Sequence, residues 1–380
     1  MAERHKLDWI QALRGVAALL VVLTHARRYL LETEWRPFVE HYIMPAAQGV
    51  DLFFLVSGFI MVYTTRGADG SLRYASGFLI KRFARVWPVY AVAVLLWIAF
   101  LAATAQPIAP LANILKSLCF LPVSTHQPPY LGLPYAIGWT LNYEFYFYVV
   151  FGLAILFGSA RWIAFAAWLV LTLVLAPWLA AGYVSLLANN DYHFGSALAG
   201  QLTNPMVWEF AAGVLIGLLY RSKLSLPRSK LTDALIAACV LLIVATAWRT
   251  APVWVHGPIR WGAPLMLMFA VMALTYKNAE PRVPRVLVWL GGISYSLYLL
   301  HYIVFCAITQ LFVLAGQEKL TATWPYAILI VPVPLAVAAL SKRYVEDGLA
   351  VRVRDRLLAL HARIFATPAS AEGRVSTKEA

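Results

Sequence analysis

Charge is scarce in this 380-residue chain. Asp, Glu, Lys and Arg make up 13% of it and hydrophobic residues 61%, against about 25% charged and about 45–50% apolar in soluble domains. Cysteine is nearly absent. Cys119, Cys239 and Cys306 lie in or beside apolar segments without C-x-x-C spacing, which argues against a disulfide framework or a thiolate metal site. There is no internal repeat, direct or inverted, so the symmetry common in transporters is missing. No small-x-small cleavage site follows the first apolar run, which is therefore read as a retained helix rather than a leader.

What the chain has in abundance is long apolar runs. Those at 7–26, 49–65, 86–105, 139–157, 162–180, 205–220, 231–248, 261–276, 289–315 and 323–341 recur from end to end, and about 17–25 apolar residues suffice to cross a bilayer as a helix. Helices satisfy their own backbone hydrogen bonds in lipid. The reading is an all-α polytopic membrane protein with about ten transmembrane helices. Counting Lys and Arg between spans orients it: with both termini in the cytoplasm, 23 of the 31 lie in inner segments and 7 in outer ones, with Arg14 inside the first span. This is the bias expected of cytoplasmic loops. The net charge of +13 is thereby explained without nucleic acid, and the expected location is the cell (inner) membrane.

Two segments depart from the pattern. Residues 106–138 form the longest outer connection, rich in proline, with a short interfacial piece expected near 113–121. After the membrane body (1–341), the remainder (342–380) changes character. "VRVRDRLLALHARIF" (351–365) alternates basic and apolar groups, as suits a helix on an anionic leaflet, and the end from Pro368 reads as disordered.

Ionisable groups inside spans cost about 2.5–3.5 kcal/mol each at a helix centre and are functional suspects. Here they are Arg14, His25, Asp51, Glu144, Glu209 and His301. Arg14 and His25 are eleven residues apart, close to three helical turns, so they share a face about 16 Å apart along it. Asp51, Glu144 and Glu209 fall at a similar depth to His25 in the outer half. A neutral histidine with a carboxylate partner suits general-base work on a hydroxyl, with Glu144 preferred and Asp51 the alternative. Trp139 and Tyr143 beside Glu144, together with Glu209, are the candidates for acceptor binding. In "KRFARVWPVY", Arg82 and Arg85 project from one face at the cytoplasmic end of the third span. They could fork onto a phosphate, with Trp87 stacking on a purine. The small residues of "LGGISYSLYLLHYIVF" read as a helix-packing surface, and His301 as a hydrogen bond to a neighbouring helix. No metal site is expected.

Taken together and in order, "LRGVAALLVVLTH", "GVDLFFLVSGF", the Arg82/Arg85 pair with "VWPVY", "WTLNYEFYFY" and "GGISYSLYLLH" resemble the acyltransferase-3 membrane proteins, which O-acylate surface and secreted glycans. The first two motifs look most like the exopolysaccharide-production branch. The resemblance implies essential roles for Arg14 and His25 and an acyl-CoA-handling role for Arg82 and Arg85. The first motif reads "QALRG" where many members have "DGLRG", so an acid beside Arg14 is not supported. The implied reaction moves an acyl group, acetyl in the first instance, from cytoplasmic acyl-CoA to a hydroxyl of a polysaccharide or its lipid-linked precursor, without a metal. Lipids are the other partners, and a homo-oligomer is left open. The alternative reading is a proton-coupled transporter or flippase for a glycan precursor or small anion, since buried His, Arg and carboxylates suit that too.

Overall fold

The computed structural model describes residues 7–124, 128–251, 253 and 256–366; the segment from Pro368 expected to be disordered lies outside them. Among the described residues the secondary structure is helical, with no strand. Nine of the described segments are long and apolar enough to cross a membrane, close to the ten expected. They are α1 (Asp8–Leu30), α2 (Arg36–Thr64), α3 (Leu72–Ala103), α5 (Gly158–Ala181), α6 (Ala197–Arg221), α7 (Lys230–Thr250), α8 (Pro258–Tyr276), α9 (Arg285–Leu314) and α10 (Trp324–Ile364). Between α3 and α5 lies α4 (Trp139–Ile155), 17 residues of mostly buried aromatic and aliphatic groups. At 1.5 Å per residue it rises about 25 Å, enough for one thin crossing. Large apolar side chains such as Leu95, Leu179, Leu241 and Leu329 are exposed on the flanks, as a lipid-facing belt requires. The protein is an integral, multi-pass membrane protein.

The helix boundaries correct the sequence reading in one place. The third span was expected from residue 86, but α3 begins at Leu72. Asp69 Oδ1 accepts from Ser71 N and Oγ (2.9 and 2.7 Å), and Ser71 Oγ accepts from Tyr74 N at 3.0 Å. Such a cap is worth about 1 kcal/mol and starts the helix in a polar stretch that hydropathy does not register. Arg82 and Arg85 therefore sit well inside a 32-residue helix rather than at its mouth. At the other end of the chain, continuous helical structure runs from Pro332 to Ile364. Its last part packs on α3, where His361 Nε2 and Ser76 Oγ lie 2.8 Å apart.

Close helix approach fixes what faces what. The most extensive helix pair is α1 with α9, followed by α2 with α6. A Cβ added at Gly291 would lie 2.0 Å from Gln11 O, and one at Gly15 would lie 2.7 Å from Gly291 N. A Cβ at Gly58 would lie 2.1 Å from Phe210 O. Apolar side chains gain nothing over lipid by burying each other, so backbone contact through small residues supplies the packing. The expected packing role of "LGGIS" thus falls on Gly291, whose neighbour Gly292 meets nothing within 4 Å. Replacing Gly291 by Ala is expected to destabilise the protein by about 1–3 kcal/mol through overpacking, while Gly292→Ala is neutral or stabilising by up to about 1 kcal/mol. Thermal unfolding of the two purified variants in detergent checks the contrast.

Candidate functional site: two chambers within the helical body

The packing of α1, α2, α3, α4 and α9 leaves a chamber of about 870 Å³, with Leu7, Arg66 and Gly67 at one end. Into it face Arg14, Arg66, Arg82 and Arg85, and among its described lining residues Glu144 is the sole acid. Arg14 Nη1 donates to Gln11 Oε1 at 3.3 Å, one turn back on the same helix. Arg82 Nη2 donates to Thr64 Oγ1 at 2.7 Å, and its guanidinium lies over the rings of Phe78 and Tyr148, 5.4 and 5.6 Å from their centres. Glu144 Oε1 accepts from Ser57 Oγ at 2.9 Å and from the Tyr148 hydroxyl. None of the four arginines comes within 4.0 Å of a carboxylate oxygen among the described residues. Four cations against one already engaged carboxylate leave a surplus of positive charge, which suits a polyanion such as a nucleotide diphosphate.

A second, smaller chamber of about 340 Å³ lies at the other end of α1, lined by Thr24, His25, Tyr130, Trp139 and His256 among others. His25 Nδ1 is 2.8 Å from Val21 O. A carbonyl only accepts, so Nδ1 carries the proton and Nε2 keeps the lone pair that a general base needs. The half-buried His25 ring packs edge-on against His301, centroids 4.9 Å apart. His301 likewise donates from Nδ1, to Leu297 O at 3.1 Å, a carbonyl of its own helix and not of a neighbour. Burial, the main cause, pushes the Tyr130 phenol up to about 12, so this hydroxyl stays protonated at physiological pH and remains able to donate.

The expected gathering of His25 with three carboxylates is not what forms. Glu144 belongs to the arginine chamber. Asp51 is fully buried and engaged elsewhere: Oδ2 is 2.7 Å from His256 Nδ1 and Oδ1 accepts Gly257 N at 3.0 Å. Glu209 is fully buried beside Gly262, where an added Cβ would lie 2.8 Å from its Oε1, and lines neither chamber. The orienting partner expected of Glu144 or Asp51 is instead the Val21 carbonyl, because a helix places the i−4 carbonyl within reach of a histidine Nδ1 and requires no second helix. Trp139 does line the smaller chamber. Tyr143 is buried against a separate minor cavity with Tyr192 and Asn204. Trp87 also falls away from its expected place: its Nε1 donates to Leu118 O at 3.1 Å and its ring stacks on Phe83, and it is not among the residues facing the four arginines.

Sequence reading missed His256, Tyr298, Tyr130 and Ser57. His256 sits in a connection outside every apolar run, so no cost of burial flagged it. The tyrosines and the serine carry no charge, and only their neighbours across the fold reveal them.

The acyltransferase-3 family, described as an acyltransferase domain, matches residues 7–343. The exopolysaccharide production protein ExoZ of Rhizobium meliloti (strain 1021) is 30% identical over 267 residues, covering 69% of this chain and 77% of the relative. Nodulation protein 10 of Rhizobium leguminosarum bv. viciae is 26% identical over 382 residues, covering 91% and 94%. The acyltransferase MdmB of Streptomyces mycarofaciens is 25% identical over 154 residues, 39% of each chain. No solved structure matches the chain. With a family match spanning nearly all of the helical body, the chain belongs to the acyltransferase-3 family and is a membrane acyltransferase.

Proposed function

We propose that this enzyme transfers an acyl group, acetyl foremost, from cytoplasmic acyl-CoA to a hydroxyl of a surface or exported polysaccharide or its lipid-linked precursor. The observation that carries the reading is the larger chamber, lined by Arg14, Arg66, Arg82 and Arg85 with Glu144 the single acid among its described lining residues. The nucleotide end of CoA is polyanionic, and guanidinium forks match its phosphates. The polysaccharide acceptor is supported by the similarity to the exopolysaccharide production protein of Rhizobium meliloti. The excess of Lys and Arg at the end of the molecule that holds Arg66, Arg73 and Lys81 favours that end as cytoplasmic, so the donor chamber faces the acyl-CoA pool.

The chemistry then follows from the His25 tautomer. With Nδ1–H held by Val21 O, Nε2 accepts the proton of the acceptor hydroxyl as its oxygen bonds to the thioester carbonyl carbon. The tetrahedral intermediate collapses by breaking the C–S bond. The departing CoA thiolate takes the proton back from the His25 imidazolium, leaving an ester and free CoA thiol. Tyr130, protonated at working pH, is placed to donate to the acceptor in the His25 chamber. Arg14 steadies the donor on the other side, and no step calls on a metal.

Two outcomes test this. His25→Ala should lower acetyl transfer by about 10²–10⁴-fold, the usual contribution of a general base, while leaving acetyl-CoA binding intact. The assay is mass spectrometry of base-deacylated polysaccharide from the producing cell after incubation with acetyl-CoA. Arg82→Ala and Arg85→Ala should each raise the KM for acetyl-CoA by about 10–100-fold, the loss of one charge-assisted contact of about 1.5–3 kcal/mol. Unchanged KM in the double variant would remove the phosphate clamp.

A further inference from the structure

The two chambers share two wall residues, Val50 and Tyr298. Tyr298 is the more informative. Its hydroxyl accepts from Thr140 Oγ1 at 2.9 Å and donates to Ile137 O at 3.1 Å. Thr140 lines the arginine chamber and Ile137 the His25 chamber, so the hydroxyl is pinned on the boundary itself. The ring is held edge-on by Phe53, centroids 5.8 Å apart, and is 6% exposed. Val50 lines both chambers from α2, where a Cβ on the adjacent Gly49 would lie 2.4 Å from Ala17 O, so that backbone has no room to withdraw toward α1.

We propose that the Tyr298 side chain, backed by Val50, is the septum between the donor and acceptor chambers, and that it must swing aside for the thioester to reach His25. The proposal rests on the donor and acceptor assignment made above. Physically, a chamber carrying four arginines and one carrying the base cannot stand in open communication at rest. They would form a polar path most of the way through the bilayer, along which ions and water would pass and water would compete with the acceptor hydroxyl. The septum must also be able to open. Two hydrogen bonds at a neutral hydroxyl, one accepted from a threonine and one donated to a backbone carbonyl, are weak enough to break and re-form in each turnover. Tyr298 is thus a positioning residue, and its role is separable from that of His25.

The test is side-specific labelling with a membrane-impermeant methanethiosulfonate reagent, in protein whose Cys119, Cys239 and Cys306 are replaced by Ala. Single reporters are Ser57→Cys in the donor chamber and Thr24→Cys in the acceptor chamber, in vesicles exposing either face. Applied from the Arg66 face, the reagent should label Ser57→Cys and leave Thr24→Cys at least tenfold slower. Tyr298→Ala should raise labelling of Thr24→Cys from that face at least tenfold. Tyr298→Phe, which keeps the ring and loses both tethers, should raise it about twofold to threefold and stands in if the Ala variant fails to fold. Equal labelling of Thr24→Cys with and without these changes would overturn the septum. A second readout, CoA thiol release from acetyl-CoA without acceptor, should rise at least fivefold in Tyr298→Ala and fall back when His25→Ala is added. A labelling change without any acetyl-CoA turnover would sustain the septum and overturn the donor assignment instead.

Discussion

Uncompensated positive charge inside a lipid-embedded body is the constraint on which the rest of the structure depends. Arg14 and Arg82 are half-buried within helices that cross the membrane, and on insertion scales two such groups cost roughly 5–7 kcal/mol. Folding stability as a whole is about 5–15 kcal/mol. A fold carries that burden when a ligand or a water-filled cavity answers it, and here Glu144, already accepting from Ser57 and Tyr148, answers only a part. The remaining charge shapes the chamber for a polyanion. The helix packing around it, with Gly15 against Gly291 and Gly58 against the Phe210 carbonyl, holds these groups in place.

The same α1 helix serves both chambers. Arg14 and His25 leave it on one face, three turns apart, yet open into different spaces because α2 and α9 close in between them at Val50 and Tyr298. One rigid helix thus fixes the separation between Arg14 and His25, which a pair of loops could not do. His25 depends on no other helix for its tautomer, since the Val21 carbonyl beneath it suffices. A histidine oriented by its own backbone leaves the surrounding carboxylates free for other work, and Asp51 spends both oxygens on His256 and Gly257.

What could be read in advance follows from range along the chain. The helical class and the near-tenfold crossing come from runs of apolar residues. The shared face of Arg14 and His25 comes from a helix period, and the Arg82/Arg85 pair from an i, i+3 spacing, all of them local. The start of α3 was misplaced because a Ser71 cap works through hydrogen bonds that hydropathy does not count. The partners of Asp51 and Glu144 were misassigned for a different reason: similar depth does not decide which face a helix turns to its neighbours, and that depends on contacts 87 residues away for Ser57 and Glu144 and 205 for Asp51 and His256. The transporter alternative, which the buried charges alone left standing, gives way to the acyltransferase family match over residues 7–343.

The account stands or falls on whether an acyl-CoA occupies the arginine chamber with its thioester pointing toward His25. A structure determined in lipid with a non-hydrolysable acetyl-CoA analogue addresses this directly. The account predicts phosphate density against Arg82 and Arg85 and the acetyl end at the Tyr298 wall. Analogue density elsewhere, with the chamber between Arg14 and Glu144 left to solvent at saturating concentration, would contradict it.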